Sequence, residues 1–133
     1  MANGRILIID DDVDLCEGMA EFLRDEGYTV ENTSDPFAGE ALIEKGQFDM
    51  ALLDFKMTGL TGVDILKKIR SKDLKTKIII VTGRPFIEKL LIEENLSHMV
   101  DGIISKPFNP NVLLSKISDL FLKRPVELGE GLS

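Results

Sequence analysis

Short apolar runs alternate along this chain with longer segments in which apolar residues recur every three or four positions. Each run, such as Ile6–Ile9 or Ile78–Val81, is bounded by polar or turn residues, which predicts a strand buried on both faces of a parallel sheet. The longer segments predict amphipathic helices. Five strands are predicted, at about 5–9, 28–31, 50–53, 78–81 and 100–104. A helix is predicted after each strand: the first ends at Gly27, the second begins near Pro36, the third covers 63–71, the fourth covers 86–95 and the fifth begins at Pro110.

One side of each predicted helix is apolar and is expected to face the sheet. Two helix starts are also indicated by capping residues. Ser34 or Asp35 is expected to cap the helix that has Pro36 at or near its first position, and Asn109 the helix that has Pro110 at its first position. The residues predicted to point inward are Leu15, Cys16, Met19, Phe22 and Leu23 in the first helix, Phe37, Ala41 and Leu42 in the second, Val63, Leu66 and Ile69 in the third, Phe86, Leu90 and Leu91 in the fourth, and Leu113, Ile117, Leu120 and Phe121 in the fifth.

The alternation of five strands with five helices indicates the α/β class, with a parallel sheet covered by helices on both faces. A chain of 133 residues is long enough to bury a core without disulfides or structural metal. We therefore predict one domain over residues 1–122. The polar segment 123–133, which contains Pro and Gly, is predicted to be a tail or the start of a linker.

Composition and charge limit the kinds of partner. The net charge of −7, with Lys and Arg scattered along the chain, argues against nucleic acid as a direct ligand and favours metal ions and basic protein surfaces. No apolar run approaches the roughly 20 residues of a membrane span, and the N-terminus lacks the long apolar region of a signal peptide. The single cysteine, Cys16, has no intrachain partner. These features predict a protein of a reducing cytoplasm that does not bind membranes.

Acidic residues cluster where predicted strands end. Asp10, Asp11 and Asp12 follow the first strand, and Asp54 follows the third. One aspartate at this place would be explained as a helix cap, but three in succession repel one another and need a cation. Because the carboxyl ends of parallel strands open onto one edge of the sheet, Asp54 is expected beside them. The pattern predicts a metal site, with Mg²⁺ as the expected ion.

Two more polar residues follow predicted strands, Thr82 after the fourth and Lys106 after the fifth. Either residue alone is usual in a turn, but at the same sheet edge as Asp54 they favour phosphoryl transfer to a carboxylate. Asp54 would attack phosphorus and form an acyl phosphate. Lys106 would neutralise a phosphoryl oxygen as a point charge, and Thr82 would donate a hydrogen bond to another.

The segments Ile8–Asp12, Leu53–Met57, Val81–Gly83 and Ser105–Phe108 carry a family resemblance. From about residue 5 to residue 122 the chain resembles a receiver domain of the two-component response regulators. The resemblance implies the strand order 2-1-3-4-5 known for the chemotaxis receiver, in a doubly wound, flavodoxin-like three-layer αβα fold. It also implies a cis peptide bond between Lys106 and Pro107.

The resemblance further implies a role for each site residue. Asp54 resembles the phosphorylated aspartate, and Asp10 and Asp11 resemble the acidic pair that binds Mg²⁺ or, alternatively, Mn²⁺. Asp12 is interpreted as an additional surface charge. The remaining implied roles are the backbone carbonyl of Lys56 as a metal ligand, Thr82 as the switch hydroxyl, Lys106 as the phosphate-binding lysine and Ile103 at the position of the switch aromatic residue.

The chain departs from the family pattern at Ile103, where an aromatic residue is usual, at Thr58, where proline is common, and at Gly83, where alanine is frequent. The first departure leaves the output surface near strands four and five open to question. A separate hypothesis concerns Lys56 and Arg84, which lie two residues beyond Asp54 and Thr82. These cations would tune hydrolysis of the acyl phosphate by obstructing the attacking water, unless they are merely solvated loop charges.

The predicted function is that of a signalling phosphoacceptor and not of a classical enzyme, with only intrinsic autophosphorylation and autodephosphorylation. The implied partners are a sensor histidine kinase or a phosphotransfer protein, and a downstream protein or effector domain. The implied oligomeric state is a monomer or a phosphorylation-dependent dimer. The alternatives are a docking module that has lost phosphorylation, and a fragment of a hybrid kinase or transcription factor. A flavodoxin-like cofactor binder is disfavoured because the three successive aspartates would repel phosphate, and an aspartyl phosphatase is disfavoured because Lys56 stands where it needs a second aspartate.

Overall fold

A computed structural model describes residues 4–46, 48–55, 62–72 and 75–122. Strands and helices alternate throughout these residues, as the apolar pattern predicts. Where an observed boundary differs from the predicted one, the difference is one or two residues. The elements are β1 (Arg5–Ile9), α1 (Val13–Asp25), β2 (Thr29–Thr33), α2 (Pro36–Lys45), β3 (Met50–Leu53), α3 (Gly62–Lys72), β4 (Lys77–Thr82), α4 (Ile87–Glu93), a short 3-10 turn (Ser97–Met99), β5 (Gly102–Ser105) and α5 (Pro110–Leu122).

The five strands form one parallel sheet in the order β2-β1-β3-β4-β5, which confirms the predicted fold. Successive residues of a strand point to opposite faces of the sheet, so the strands supply two separate cores. On one face Ile6 and Ile8 pack in a cluster with residues of α1 and α5. On the other face Leu7 and Ile9 pack with residues of α2, α3 and α4. Both faces are therefore covered, as a parallel sheet requires.

The inward face of α2 differs from the prediction. Gly39 lies against β1, where an added Cβ would stand 2.5 Å from Cδ1 of Ile9, so the helix approaches the sheet through its glycine. Phe37 and Ala41 lie two positions from Gly39 on either side, which in a helix of 3.6 residues per turn places them on the opposite face. Both are exposed, and the helix buries Ile43 instead. The prediction that Phe37 and Ala41 point inward is wrong.

The start of α4 also differs. The helix begins at Ile87, and Phe86 precedes it with a left-handed backbone conformation (φ 58°) and no side-chain cap. The ring of Phe86 is 81% exposed, so the prediction that it faces the core is wrong, whereas Leu91 is buried as predicted. The apolar period cannot report this difference, because it does not detect a residue that leaves the helical conformation.

Cys16 of α1 is buried in the hydrophobic core, as predicted, with 1% of its surface exposed. Burial is the largest cause that raises the pKa of this thiol; a hydrogen bond from Asn32 opposes it and the negative charge of Asp10 adds to it. Within the described ranges, no helix is both long enough and apolar enough to span a bilayer. The predicted tail, 123–133, lies outside the described residues.

Candidate functional site

Four polar residues meet at the carboxyl edge of the sheet. Three of them directly follow a strand: Asp10 follows β1, Asp54 follows β3 and Lys106 follows β5. The fourth, Thr82, is the last residue of β4. The backbone ladder continues past the strand ends, since the amide of Asp54 donates to the carbonyl of Ile9 (3.1 Å) and the amide of Lys106 donates to the carbonyl of Thr82 (2.8 Å). These bonds hold the four residues in register, so the expected convergence of the strand ends is observed.

Three of these side chains are almost fully inside the protein, with 1% of Asp10, 5% of Asp54 and 1% of Thr82 exposed. Buried carboxylates are costly unless a cation compensates them. The ammonium nitrogen of Lys106 lies 2.8 Å from Oδ2 of Asp10 and 3.4 Å from Oδ2 of Asp54. The ammonium group of Lys106 therefore compensates the negative charge of both buried carboxylates.

The carboxylates of Asp10 and Asp54 favour the protonated form of Lys106. Burial is the largest single effect and by itself lowers the pKa of Lys106, but the hydrogen bonds and negative charges of Asp10 and Asp54 together outweigh it and raise the pKa above its usual value. The side chain is an ammonium ion at neutral pH. It is held where a group attached to Asp54 would meet it.

The two oxygens of Asp10 have different environments. Oδ1 accepts a hydrogen bond of 3.0 Å from the backbone amide of Asp12. Apart from its 2.8 Å ion pair with Lys106, Oδ2 is buried with no further partner in the described part of the chain. A carboxylate oxygen has more than one lone pair, so Oδ2 can accept a second cation beside Lys106.

Asp11 completes an acidic cluster at the same edge. One carboxylate oxygen each from Asp10, Asp11 and Asp54 lie within 4.8 Å of one another, and the side chain of Asp11 is exposed to solvent. Carboxylate oxygens that are partly open to solvent suit Mg²⁺, which binds through one or two carboxylates and keeps several waters. Together with Oδ2 of Asp10, which has no described partner besides Lys106, this donor set fits a divalent metal ion. Lys56, whose carbonyl is the other implied ligand, lies outside the described residues.

Asp12 does not belong to this cluster. Its side chain caps α1, because Oδ1 accepts a hydrogen bond of 3.1 Å from the amide of Leu15. The interpretation of Asp12 as an additional surface charge therefore missed its bond to the helix. The signal was present in the sequence, since an aspartate directly before an apolar helical period is a common N-cap.

Thr82 connects the site to the loop before α4. Its buried hydroxyl oxygen accepts a hydrogen bond of 3.1 Å from the amide of Arg84, which leaves the hydroxyl hydrogen for donation. Among the described atoms, a Cβ added at Gly83 would contact only Cβ of Lys106, at an ordinary 3.7 Å, so the alanine that is frequent here in the family would also fit. The side chain of Arg84 is exposed.

Two further positions named from the resemblance lie on β5 or just beyond it. Ile103 is partly buried and packs with the core cluster on the α4 side of the sheet. The peptide bond between Lys106 and Pro107 is cis. Ile103 lies within β5, whereas Asp10, Asp54, Thr82 and Lys106 place carboxylates, a hydroxyl and an ammonium group at the same end of the strands.

Comparison with known proteins gives a consistent result. A family model described as the response regulator receiver domain matches residues 6–118. Among curated proteins, the response regulator protein PmrA of Pseudomonas aeruginosa is 32% identical over 116 residues, which cover 87% of this chain and 52% of PmrA. The chain spans about half the length of the curated relatives it matches.

Solved structures give the same match. A CheY-like response regulator receiver domain protein of Methanospirillum hungatei JF-1 superposes with a TM-score of 0.80 at 36% identity, covering 88% of this chain and 92% of that one. The response regulator TrrA of Thermotoga maritima, solved in complex with Mg²⁺ and BeF, superposes with a TM-score of 0.77 at 28% identity, covering 90% of this chain and 99% of that one.

Proposed function

This chain belongs to the family of response regulator receiver domains, and we propose that it accepts a phosphoryl group on Asp54. The observation that carries the proposal is the position of the Lys106 ammonium, 3.4 Å from Oδ2 of Asp54, beside three convergent carboxylates. The donor would be a phosphohistidine of a sensor histidine kinase or relay protein, or a small acyl phosphate. The chain would thus serve as a signalling phosphoacceptor and not as an enzyme that turns over a separate substrate.

In the transfer step, a lone pair of an Asp54 carboxylate oxygen forms a bond to phosphorus. The bond from phosphorus to the histidine nitrogen breaks, and the electron pair of that bond leaves with the nitrogen, which takes a proton from water. Lys106 neutralises one phosphoryl oxygen, and the O–H of Thr82 donates to another. Most of the catalytic effect is positioning and charge neutralisation, as for phosphoryl transfer in general.

Asp10, Asp11 and Asp54 would hold the divalent ion, with the carbonyl of Lys56 as a further ligand. A bound Mg²⁺ or Mn²⁺ ion would supply positive charge that offsets the carboxylates and the phosphoryl oxygens. The buried Oδ2 of Asp10, which has no described partner besides Lys106, supports this assignment, as does the Mg²⁺ in the related TrrA.

The switch would begin at Thr82. When its hydroxyl turns to the phosphoryl group, the hydrogen bond that it accepts from the amide of Arg84 changes, and the loop that leads into α4 responds. The output surface would then be the face near β4 and β5. Ile103 on β5 offers no aromatic ring to that response, so the movement of the loop itself would carry more of the signal.

The proposed partners are the phosphoryl donor and a downstream protein or effector domain, and not nucleic acid or a membrane. We propose a cytoplasmic location, and either a monomer or a dimer that forms on phosphorylation. The curated relatives of about twice this length include transcriptional regulatory proteins. This supports the alternative that the sequence is part of a longer regulator.

The test is incorporation of label from radioactive acetyl phosphate in the presence of Mg²⁺. We expect the wild type to form an acyl phosphate that hydroxylamine removes. Asp54→Ala should lose the label, whereas Asp119→Ala, at an exposed position of α5, should retain it. Equal labelling of Asp54→Ala and the wild type would show that the acceptor has been misidentified.

The docking-module alternative has its own discriminator. A chain that has lost phosphorylation would bind neither acetyl phosphate nor a beryllofluoride mimic of the phosphoryl group in the presence of Mg²⁺. We expect binding of beryllofluoride with a melting temperature above that with Mg²⁺ alone. No labelling and no such shift in the wild type would favour the docking module.

A further inference from the structure

Asp12 is joined both to the acidic site and to the first helix. Its backbone amide donates to Oδ1 of Asp10 at 3.0 Å, on the side of the site. Its own Oδ1 accepts from the amide of Leu15 at 3.1 Å, on the side of the helix. Among the described acids, its carboxylate is not in the group whose oxygens converge within 4.8 Å. Asp12 thus reaches the site through its backbone and the helix through its side chain.

Two bonds fix the backbone of Asp12. Besides the cap to Leu15, its carbonyl oxygen accepts from the amide of Cys16 at 2.9 Å, the first bond of α1. The residue has the extended conformation of an N-cap, with φ −79° and ψ 100°. The helix itself is firmly placed, since Cys16 and Met19 are buried in the core. The direction of the Asp12 amide is therefore set by its attachment to a rigid element.

That direction matters for Asp10, because the carboxylate plane of an aspartate turns easily about its last torsion. The bond to the Asp12 amide occupies Oδ1. It leaves Oδ2 as the oxygen that faces Lys106 and has no hydrogen bond in the described residues. Without that bond the plane could turn and present either oxygen, or neither, to a cation.

We propose that Asp12 is a positioning residue for the metal site, and that its side chain acts by capping α1 and not by binding the ion. The cap holds the amide of Asp12 against Asp10, and this amide fixes the plane of the Asp10 carboxylate and so the direction in which its free oxygen faces the site. Groups that hydrogen-bond to metal ligands and orient them commonly change metal affinity on mutation. The inference rests on the proposed function, since it assumes that Asp10 binds the divalent ion.

The test compares two neutral substitutions. Asn caps helices as well as Asp does, whereas Ala does not cap, so Asp12→Asn keeps the cap and Asp12→Ala removes it with the same loss of charge. Titration calorimetry with MgCl₂ measures the dissociation constant for each variant. We expect Asp12→Ala to bind Mg²⁺ about tenfold more weakly than the wild type, and Asp12→Asn to stay much closer to the wild type.

The matched control is Asp35, which caps α2 in the same way. Its Oδ1 accepts from the amide of Phe37 at 2.9 Å, its carbonyl accepts from the amide of Gly39 at 2.9 Å, and its carboxylate is not in the group of described acids whose oxygens converge within 4.8 Å. Asp35→Ala should lower the melting temperature about as much as Asp12→Ala and leave Mg²⁺ affinity unchanged. The control therefore separates loss of a helix cap from loss of orientation at Asp10.

Two results would overturn the inference while leaving the proposed function intact. Equal weakening in Asp12→Asn and Asp12→Ala would mean that the charge of Asp12, or direct binding by it, matters and the cap does not. Wild-type affinity in Asp12→Ala would mean that Asp10 needs no such support. A wild-type protein that binds no Mg²⁺ at all, and takes no label from acetyl phosphate, would instead reject the proposed function together with the inference.

Discussion

The ammonium of Lys106, just after β5, lies 2.8 Å from the buried carboxylate of Asp10, just after β1. The two strands are not neighbours in the sheet, since β3 and β4 run between them. The ion pair therefore bridges the carboxyl edge of the sheet above the central strands. It places one positive charge at the centre of the proposed site even when no other cation is bound.

Removing the charge of Lys106 should destabilise the metal-free domain. In Lys106→Met, the buried carboxylate of Asp10 loses its counter-charge, which we expect to lower the free energy of unfolding by roughly 1–3 kcal/mol. Lys106→Arg keeps the charge and should lose less, and Lys89→Met, at an exposed position of α4, should lose little. Urea unfolding in EDTA measures these differences. An unchanged midpoint for Lys106→Met would contradict the importance of this pair.

Magnesium should stabilise the folded protein, because the carboxylates of the proposed metal site are brought together only in the folded state. At free Mg²⁺ about ten times the dissociation constant, the expected gain in unfolding free energy is about 1.4 kcal/mol. Asp11→Asn relieves repulsion among the acids, so it should melt higher than the wild type in EDTA yet respond less to Mg²⁺. Thermal melts with and without MgCl₂ check both effects. A wild-type melting curve indifferent to millimolar Mg²⁺ would count against the site.

Phe86 should be a site where substitution stabilises the protein. Its left-handed backbone is unfavourable for a bulky residue, its ring is exposed, and α4 lacks a side-chain cap at this position. Asn tolerates that backbone conformation better than Phe does, so Phe86→Asn should raise the unfolding free energy by about 1 kcal/mol. Phe37→Asn is the control, since Phe37 is also exposed but lies inside α2. A loss of stability in Phe86→Asn would show that the ring is needed where it is.

Cys16 should react slowly in the folded state and make stability depend on alkaline pH. Burial, the largest cause, raises the pKa of its thiol in the native protein. The stabilising contribution is then complete below the unfolded-state pKa of about 8.5 and is lost as the pH rises through the native pKa. Unfolding free energies from pH 8 upward should fall more steeply for the wild type than for Cys16→Ala. Equal slopes, or rapid reaction of the native thiol with a disulfide reagent, would contradict this expectation.

Arg84 and Lys56 should influence how long the acyl phosphate survives. The side chain of Arg84 is exposed two residues after Thr82, while its amide is bound to the Thr82 hydroxyl. A cation here would obstruct or misorient the attacking water, so Arg84→Ala and Lys56→Ala should each change the half-life of the phosphorylated protein. Decay of label after removal of the donor measures this directly. Wild-type decay in both variants would mean that the two cations are only solvated loop charges.

Much of the fold and of the site can be derived from the order of residues along the chain. Apolar runs such as Ile6–Ile9 predict buried strands, and a parallel sheet brings the ends of its strands to one edge. Asp10, Asp54 and Lys106 could therefore be expected together before any contact was known. The strand order needed the family resemblance in addition, because the apolar pattern does not say which strands are neighbours.

Tertiary structure alone decided where several side chains point. The period of α2 allowed Phe37 to face inward, but contact of Gly39 with Ile9 turned the helix so that Phe37 faces solvent. Phe86 left its helix through one backbone conformation that no apolar pattern reports.

The three successive aspartates also show which properties the sequence determines and which depend on tertiary structure. Their sequence predicted a concentration of negative charge at the end of β1, because composition and position determine charge. The position of Asp12 before an apolar helical period allowed its role as a cap, but the pattern did not show that Asp10 would be buried and Asp11 exposed. Those differences depend on the backbone direction at each residue and on which neighbour donates a hydrogen bond. Both are set only when the helix packs on the sheet.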